Sequence, residues 1–231
     1  MHRNAPRHVR TLLCAAAALP VLLVTGCSSD SDGDQDSAAP SASASENAKA
    51  PAPAKIKELP DSCKAIEKKT VDSLVPGAEN AGGKRVGSGD VGDFNSCLWT
   101  GLKKYDYRQL VVTMKRFDSD ESLGSGAERA GEYLTSQAKS VEDNKDLKGA
   151  KKAAVKGIGD EATTFSYKTE KKATKKSKED FRGQHLLVRK DNAVVSVEYE
   201  GAGFESGKMP GADTVKKNSE KAAKDALAGL K

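Results

Sequence analysis

The sequence predicts an α+β domain: an antiparallel sheet covered on one face by helices, in the order αβββαβββα, behind a signal peptide and a disordered tether. Three observations carry this. Stretches of alternating apolar and polar residues come in runs interrupted by few helical segments, which favours antiparallel strands over a βαβ alternation. Gln184–Lys190 and Ala193–Tyr199 form the best hairpin in the chain, turning at Asp191-Asn192. Three further segments place apolar residues at helical spacing, one of them behind a capping box.

The chain opens with an export pattern. Arg3, Arg7 and Arg10 precede a run of 13 residues, Leu12–Val24, with no acidic residue before Asp30. A basic start followed by a short apolar stretch reads as a secretory signal. A spanning helix needs about 20 apolar residues, so the run is too short to remain as an anchor. Val24-Thr25-Gly26-Cys27 then resembles the lipobox of bacterial lipoproteins. That resemblance implies cleavage after Gly26 and a diacylglyceryl group on the Cys27 sulfur. A plain secretory signal with an incidental Cys is the alternative. Two acyl chains, at about 0.8 kcal/mol per buried methylene, give lasting attachment where one chain does not.

With residues 1–26 removed, 35 basic and 33 acidic residues remain, a formal charge of +2. Ser28–Lys55 carries −3 and the rest +5, too small a surplus over about 175 residues to mark nucleic-acid binding. Ser28–Lys55 contains no aromatic or branched aliphatic residue and cannot offset its chain entropy by burial. As a flexible coil its 28 residues span on the order of 30 Å. Fully extended they reach roughly 95 Å. The aspartates at 30, 32, 34 and 36 lack the later Gly and Glu of a calcium loop, so the segment reads as a solvated spacer with no metal. Cys14 leaves with the signal and Cys27 is lipidated. Cys63 and Cys97 remain, and in an oxidising compartment they are expected to pair.

The folded part begins near Ile56. Asp61 or Ser62 caps a helix on which Cys63, Ile66, Thr70 and Leu74 recur, ended by Pro76-Gly77. A Gly-rich section follows, with one short strand around Lys84–Val86. Phe94–Thr100 and Arg108–Phe117 read as strands joined by a Lys/Tyr/Asp turn. Ser125 and Glu128 open a helix whose apolar face is Ala127, Ala130, Leu134, Ala138 and Val141. Lys148–Lys156 is a basic connection with room for a short strand, followed by a strand from Glu161-Ala162 to Tyr167 and then the hairpin. Asp213–Leu230 is the last helix, with Val215, Ser219, Ala222, Ala226 and Leu230 on one side.

Several features occur in a set order: the lipobox and tether, Pro60 and Cys63, Cys97-Leu98-Trp99, Gly157-Ile158-Gly159-Asp160-Glu161-Ala162, Val194-Val195-Ser196-Val197, and an Ala-rich final helix. Together they resemble an actinobacterial lipoprotein family known as domain of unknown function 3558, over roughly residues 57–231. They are also distantly similar to the extracellular sensor domain of a mycobacterial serine/threonine kinase. The resemblance implies an α+β domain and one disulfide, and supplies no catalytic residue. The chain departs from the family in a lysine-rich insertion at 168–178.

Little of the sequence proposes chemistry. Trp99 shares a strand face with Cys97 and is expected to pack on the disulfide. Asp160-Glu161 follows a Gly-x-Gly turn; neighbouring strand residues face opposite ways, so Asp160 is expected to bond backbone amides. His185 is the one histidine of the mature chain, and no GxSxG, HExxH or P-loop pattern occurs. Lys168, Lys171, Lys172, Lys175, Lys176 and Lys178 read as a solvated loop or as a contact for anionic headgroups or wall polymers. No catalytic residue, cofactor or metal site is expected. The chain reads as a non-enzymatic lipoprotein on the outer face of the cytoplasmic membrane. Its domain binds or senses a small ligand, a cell-wall polymer or an envelope protein; the alternative is a structural partner acting through the exposed sheet face.

Globomycin, which blocks lipoprotein signal cleavage, is expected to accumulate the full-length precursor in membranes, and Cys27→Ser to remove diacylglyceryl labelling. An unlabelled wild-type protein found wholly in the culture medium contradicts the anchor.

Overall fold

A computed structural model describes residues 50–87, 91–172 and 177–231. The signal peptide, Cys27, tether residues 28–49, and Lys175 and Lys176 lie outside the described residues. Ala48–Lys231 is one compact unit, and both apolar clusters and the disulfide lie within it. Its elements are α1 (Ser62–Ala65), α2 (Lys68–Leu74), β1 (Lys84–Arg85), β2 (Phe94–Lys103), β3 (Asp106–Arg116), α3 (Gly126–Glu142), β4 (Lys148–Ala154), β5 (Glu161–Lys172), β6 (Lys178–Lys190), β7 (Ala193–Gly203) and α4 (Ala212–Ala228).

The strands form one antiparallel sheet in the order β1-β2-β3-β7-β6-β5-β4. This is the expected α+β class. The last strand in sequence is the central one in space, because β7 leaves the hairpin with β6 and closes onto β3 over its whole length.

One face packs under α1, α2 and α4. Cys97 and Trp99 of β2, Leu110, Val112 and Met114 of β3, Leu186 and Val188 of β6, and Val195, Val197 and Tyr199 of β7 join Val71, Leu74, Val215 and Ala222 there. The layers differ from the expectation in one respect: α3 lies on the opposite face. Its Ala130, Leu134, Ala138 and Val141 cover Phe165, Leu187 and Val194. The reason is in the hairpin. Leu186-Leu187-Val188 and Ala193-Val194-Val195 are apolar without alternation, so both faces of the sheet need cover at that end. Further along, the α3 face turns polar at His185, Ser196, Glu198 and Glu200.

Three element boundaries also differ. The first helix is split, because Ile66 takes an extended conformation and buries its side chain. The basic connection is a full edge strand, β4, every residue of which is exposed. It shows no apolar alternation because it buries neither face, and its lysines suit an open sheet edge. The lysine-rich stretch is not a loop over its described residues. β5 and β6 extend through it as a paired arm, held in register by Thr169 opposite Phe181, both buried.

Two contacts stand out among those that fasten the N-terminal side. Cys63 on α1 is bonded to Cys97 on β2, with the Cα atoms 5.1 Å apart. Trp99 packs beside the bridge at 1% exposure and donates from Nε1 to the Ala81 carbonyl at 3.3 Å. Gly83 passes so close, at φ 71°, that a Cβ there would sit 2.8 Å from Trp99 Nε1. The second fastening is Asn192, buried in the β6–β7 turn. Its side chain accepts from Ile56 N at 2.8 Å and donates to the carbonyls of Ile56 (2.9 Å) and Phe117 (2.8 Å). Among the described residues no helix is long and apolar enough to cross a membrane.

Trp99→Ala is expected to cost about 3–5 kcal/mol, read from the guanidinium midpoint by circular dichroism, because the indole fills a site that the disulfide and Gly83 cannot collapse into. A change below about 1 kcal/mol contradicts a core role.

Candidate functional site

α3 ends before the sheet does. Beyond its last turn the polar stretch of the α3 face forms the floor of a cavity of about 530 Å³. Gln137, Ser140 and Val141 of α3, and Asn144, Asp146 and Leu147 after it, form one wall; Tyr167, Thr169, Lys171, His185, Glu198 and Glu200 form the floor. This is the size range of small-molecule sites.

Strand alternation puts these side chains together. β7 sends Ser196, Glu198 and Glu200 to the α3 face while Val195, Val197 and Tyr199 fill the core. Opposite them, β6 contributes His185 and Gly183, and β5 contributes Tyr167, Thr169 and Lys171. Gly183 has a specific use. It lies between Tyr167 and Glu200 in register, and a Cβ on it would sit 2.7 Å from the Tyr167 hydroxyl. With no side chain there, Tyr167 reaches across β6 and its hydroxyl donates to Glu200 Oε1 at 2.9 Å.

Glu200, 3% exposed, is the most deeply placed carboxylate of the site. Burying a charge is tolerated only when it is paired and hydrogen-bonded. Lys171 supplies the ion pair to Oε2, and its ammonium also lies 5.2 Å from the centre of the Phe181 ring. Burial, and then the charges of Glu200 and Glu198, raise the Tyr167 pKa, so it stays a neutral donor. Glu198 is left differently. Burial first, and then the charge of Glu200, push its pKa above the ordinary carboxylate range. Lys171 pulls it back, and His185 Nε2 lies 3.9 Å away.

His185 is held neutral: burial lowers its pKa from 6.5 to about 4, against the pull of Glu200. Its Nε2 lies 2.7 Å from Ser196 Oγ, so a Ser, a His and a carboxylate do meet. Their arrangement is not that of a nucleophile relay. Ser196 and Glu198 approach the same ring nitrogen, whereas a relay needs the carboxylate on the other one. Ser196 does not line the cavity. Among the described residues no group of three or more His, Cys, Asp or Glu is placed to hold a metal ion.

The other sequence candidates fall elsewhere. Alternation along the β5–β6 arm divides the lysines: Lys171 lies on the cavity face, while Lys168 and Lys172 point to the other, where Lys168 sits opposite Arg182 and Lys172 opposite Lys178. Lys178 pairs with Glu170 at 3.0 Å and Lys171 with Glu200, so Lys171 is set apart from Lys168, Lys172 and Lys178, which share the other face with Arg182. Asp160 accepts from the Asp191 amide at 2.6 Å and Lys190 Nζ at 3.3 Å, which fastens the β6–β7 turn. Burial alone raises its pKa; that amide, Lys190 and Arg189 together hold it below the ordinary value.

Sequence reading singled out Lys171 and His185 but missed Tyr167, Gly183, Glu198 and Glu200. A signal was present. Ser196, Glu198 and Glu200 alternate with Val195, Val197 and Tyr199, so a strand with one fully apolar face carries three polar residues on the other.

No family model and no curated protein matches the chain. Among solved structures it is similar to the extracellular domain of PknH from Mycobacterium tuberculosis, with a TM-score of 0.28 and 11% identity over 78% of this chain and 86% of that one. It is also similar to TTHA0849 from Thermus thermophilus, with a TM-score of 0.19 and 9% identity over 78% of this chain and 92% of that one. The expected distant likeness to an extracellular domain is thus found at a weak level, and at these scores neither likeness says anything about the site.

His185 makes stability depend on pH. Because its folded pKa lies below the unfolded value, the unfolded chain binds its proton first as pH falls. The contribution is full above about 6.5 and is lost toward about 4, roughly 3 kcal/mol in all. Glu198, with its raised pKa, works in the opposite sense in both proteins, so comparing wild type with His185→Gln isolates the histidine. The stability difference between the two is expected to shift by that amount between pH 7 and pH 4 in urea denaturation. A constant difference contradicts a neutral, desolvated His185.

Proposed function

We propose that this chain is a membrane-anchored envelope lipoprotein of the domain of unknown function 3558 type, whose domain binds a small polar ligand without transforming it. The observation that carries the reading is the cavity at the end of α3, floored by polar side chains among which Glu200 is buried and paired. A face kept only for solubility has no need to bury Glu200 and then satisfy it from two neighbouring residues. The non-enzymatic part rests on the arrangement around His185, where one ring nitrogen faces both Ser196 and Glu198. A base with a pKa near 4 is also a poor proton acceptor at neutral pH.

Placement at the outer face of the cytoplasmic membrane comes from the lipobox and the acidic spacer. Lys55 and Ile56 are tied to Asp191 and Asn192 in the β6–β7 turn, so the spacer joins the domain at that end. The cavity lies toward the other end of β7, about 25 Å along the strand from Asn192 to Glu200.

Saturation-transfer NMR of the Ala48–Lys231 domain against a low-molecular-weight envelope extract tests the reading. Bound components are expected for the wild type, lost in Ser140→Trp, which places an indole at the cavity wall, and recovered chemically unchanged. Equal signals from wild type and a folded Ser140→Trp protein contradict the site, and a Ser196-dependent conversion of any component contradicts the non-enzymatic role.

A further inference from the structure

We propose that the ligand is held through a cationic nitrogen, an ammonium or guanidinium group, seated against Glu198. This inference rests on the ligand-binding reading above and adds the chemical class.

The charges around the cavity are unequal. Asp146, Glu170, Glu198 and Glu200 line it, against the single cation Lys171 among the described lining residues. Pairing divides the acids further. Glu200 is taken by Lys171 and Tyr167, and Glu170 by Lys178 at 3.0 Å and Lys148 at 3.9 Å. Asp146 stands in the exposed wall. Glu198 is the carboxylate left on the floor, and its neighbour His185 is neutral. No hydrogen bond from any described residue reaches its side chain. Partial burial and Glu200 work against its ionised form and Lys171 in its favour; the side chain is 42% exposed, so a cation can reach it and offset the first two.

Two further features favour the same sign. The cavity wall is the last turn of α3, a helix of 17 residues, and the carbonyl end of a helix attracts positive charge. The protein's own Lys171 also displays the chemistry on offer, with an ammonium held between a buried carboxylate and the face of Phe181. An anionic ligand would meet Glu198, Glu200 and the α3 carbonyls with Lys171 already engaged. A metal ion finds no converging set of three donors among the described residues. An organic cation with an apolar stem fits both the charge and the mixed lining, which includes Val141, Leu147 and Tyr167. Such a pair forms in a partly desolvated site, where charge pairing exceeds that on an open surface. Lys171 then stands as the neighbouring like charge that limits affinity.

The test titrates cadaverine, pentanol and pentanoate, five-carbon compounds of charge +2, 0 and −1, into the isotope-labelled Ala48–Lys231 domain. Backbone NMR signals of Tyr167, Thr169, His185 and Glu198 report binding. Cadaverine is expected to move these signals saturably at low salt and pentanoate to leave them unmoved. Glu198→Gln is expected to weaken cadaverine at least tenfold with Trp99 fluorescence unchanged, and Lys171→Met to tighten it. Cadaverine binding equally well to folded Glu198→Gln overturns the proposal. So does pentanol or pentanoate saturating the same signals while cadaverine does not, an outcome that leaves the cavity a ligand site and only its class wrong. If none of the three moves the signals, the cationic class is overturned, and the extract experiment with Ser140→Trp decides separately whether the cavity binds anything.

Discussion

The pairing of β3 with β7 is the contact on which the rest depends. It runs through 11 consecutive residue pairs, from Asp106 opposite Gly203 to Arg116 opposite Ala193. It joins the sheet's first half, β1 to β3, to its second, β4 to β6. Without it β3 and β7 would each expose an unpaired edge, and the core under α1, α2 and α4 would be cut in two. The partners lie far apart in sequence, so the loop-closure entropy must be met before most of the core forms. The hairpin of β6 and β7, fastened at its turn by Asp160 and Asn192, is the local structure that β3 can add to.

Placing β7 at the centre has a consequence for its second face. A central strand is flanked on both sides, so its side chains leave water unless nothing lies above them. α3 covers this face only at the Val194 end, and Ser196, Glu198 and Glu200 emerge where it stops. Their charges are therefore only partly solvated. Glu200 is stabilised by Tyr167 and Lys171, an arrangement that works because Gly183 leaves the path across β6 open. Buried ion pairs of this kind contribute little net stability, and well-packed apolar side chains of similar volume are often as good or better. The polar floor is thus a property the fold accommodates and does not require.

The N-terminal region contributes rigidity in the opposite part of the molecule. The Cys63–Cys97 bond, closing a separation of 34 residues, contributes roughly 4 kcal/mol on the chain-entropy account. Asn192 binds Ile56 to the turn and to Phe117, which brings the start of the domain and the end of β3 to one place.

Much of the architecture is legible in local pattern. The capping box at Ser125 and Glu128 starts α3 in the structure as it does on paper. The alternation in β2, β3 and β7, the hairpin turn at Asp191-Asn192 and the cysteine pair are all recovered, because turn chemistry, side-chain period and redox compartment act over short stretches or single residues. What escaped local reading were features with no apolar signature: β4, an edge strand exposed on both faces, and the charged arm of β5 and β6, which pairs through backbone register with two buried residues to hold it. Sequence by itself determined most of the elements and the covalent bridge, and it holds the alternation that makes one face of β7 polar. Only the tertiary structure decided that β7 is central, that α3 lies over its second face and stops short, and that Gly183 lets Tyr167 meet Glu200. Those outcomes depend on which strands become neighbours, and strand order is set by the summed burial of residues that are distant in the chain.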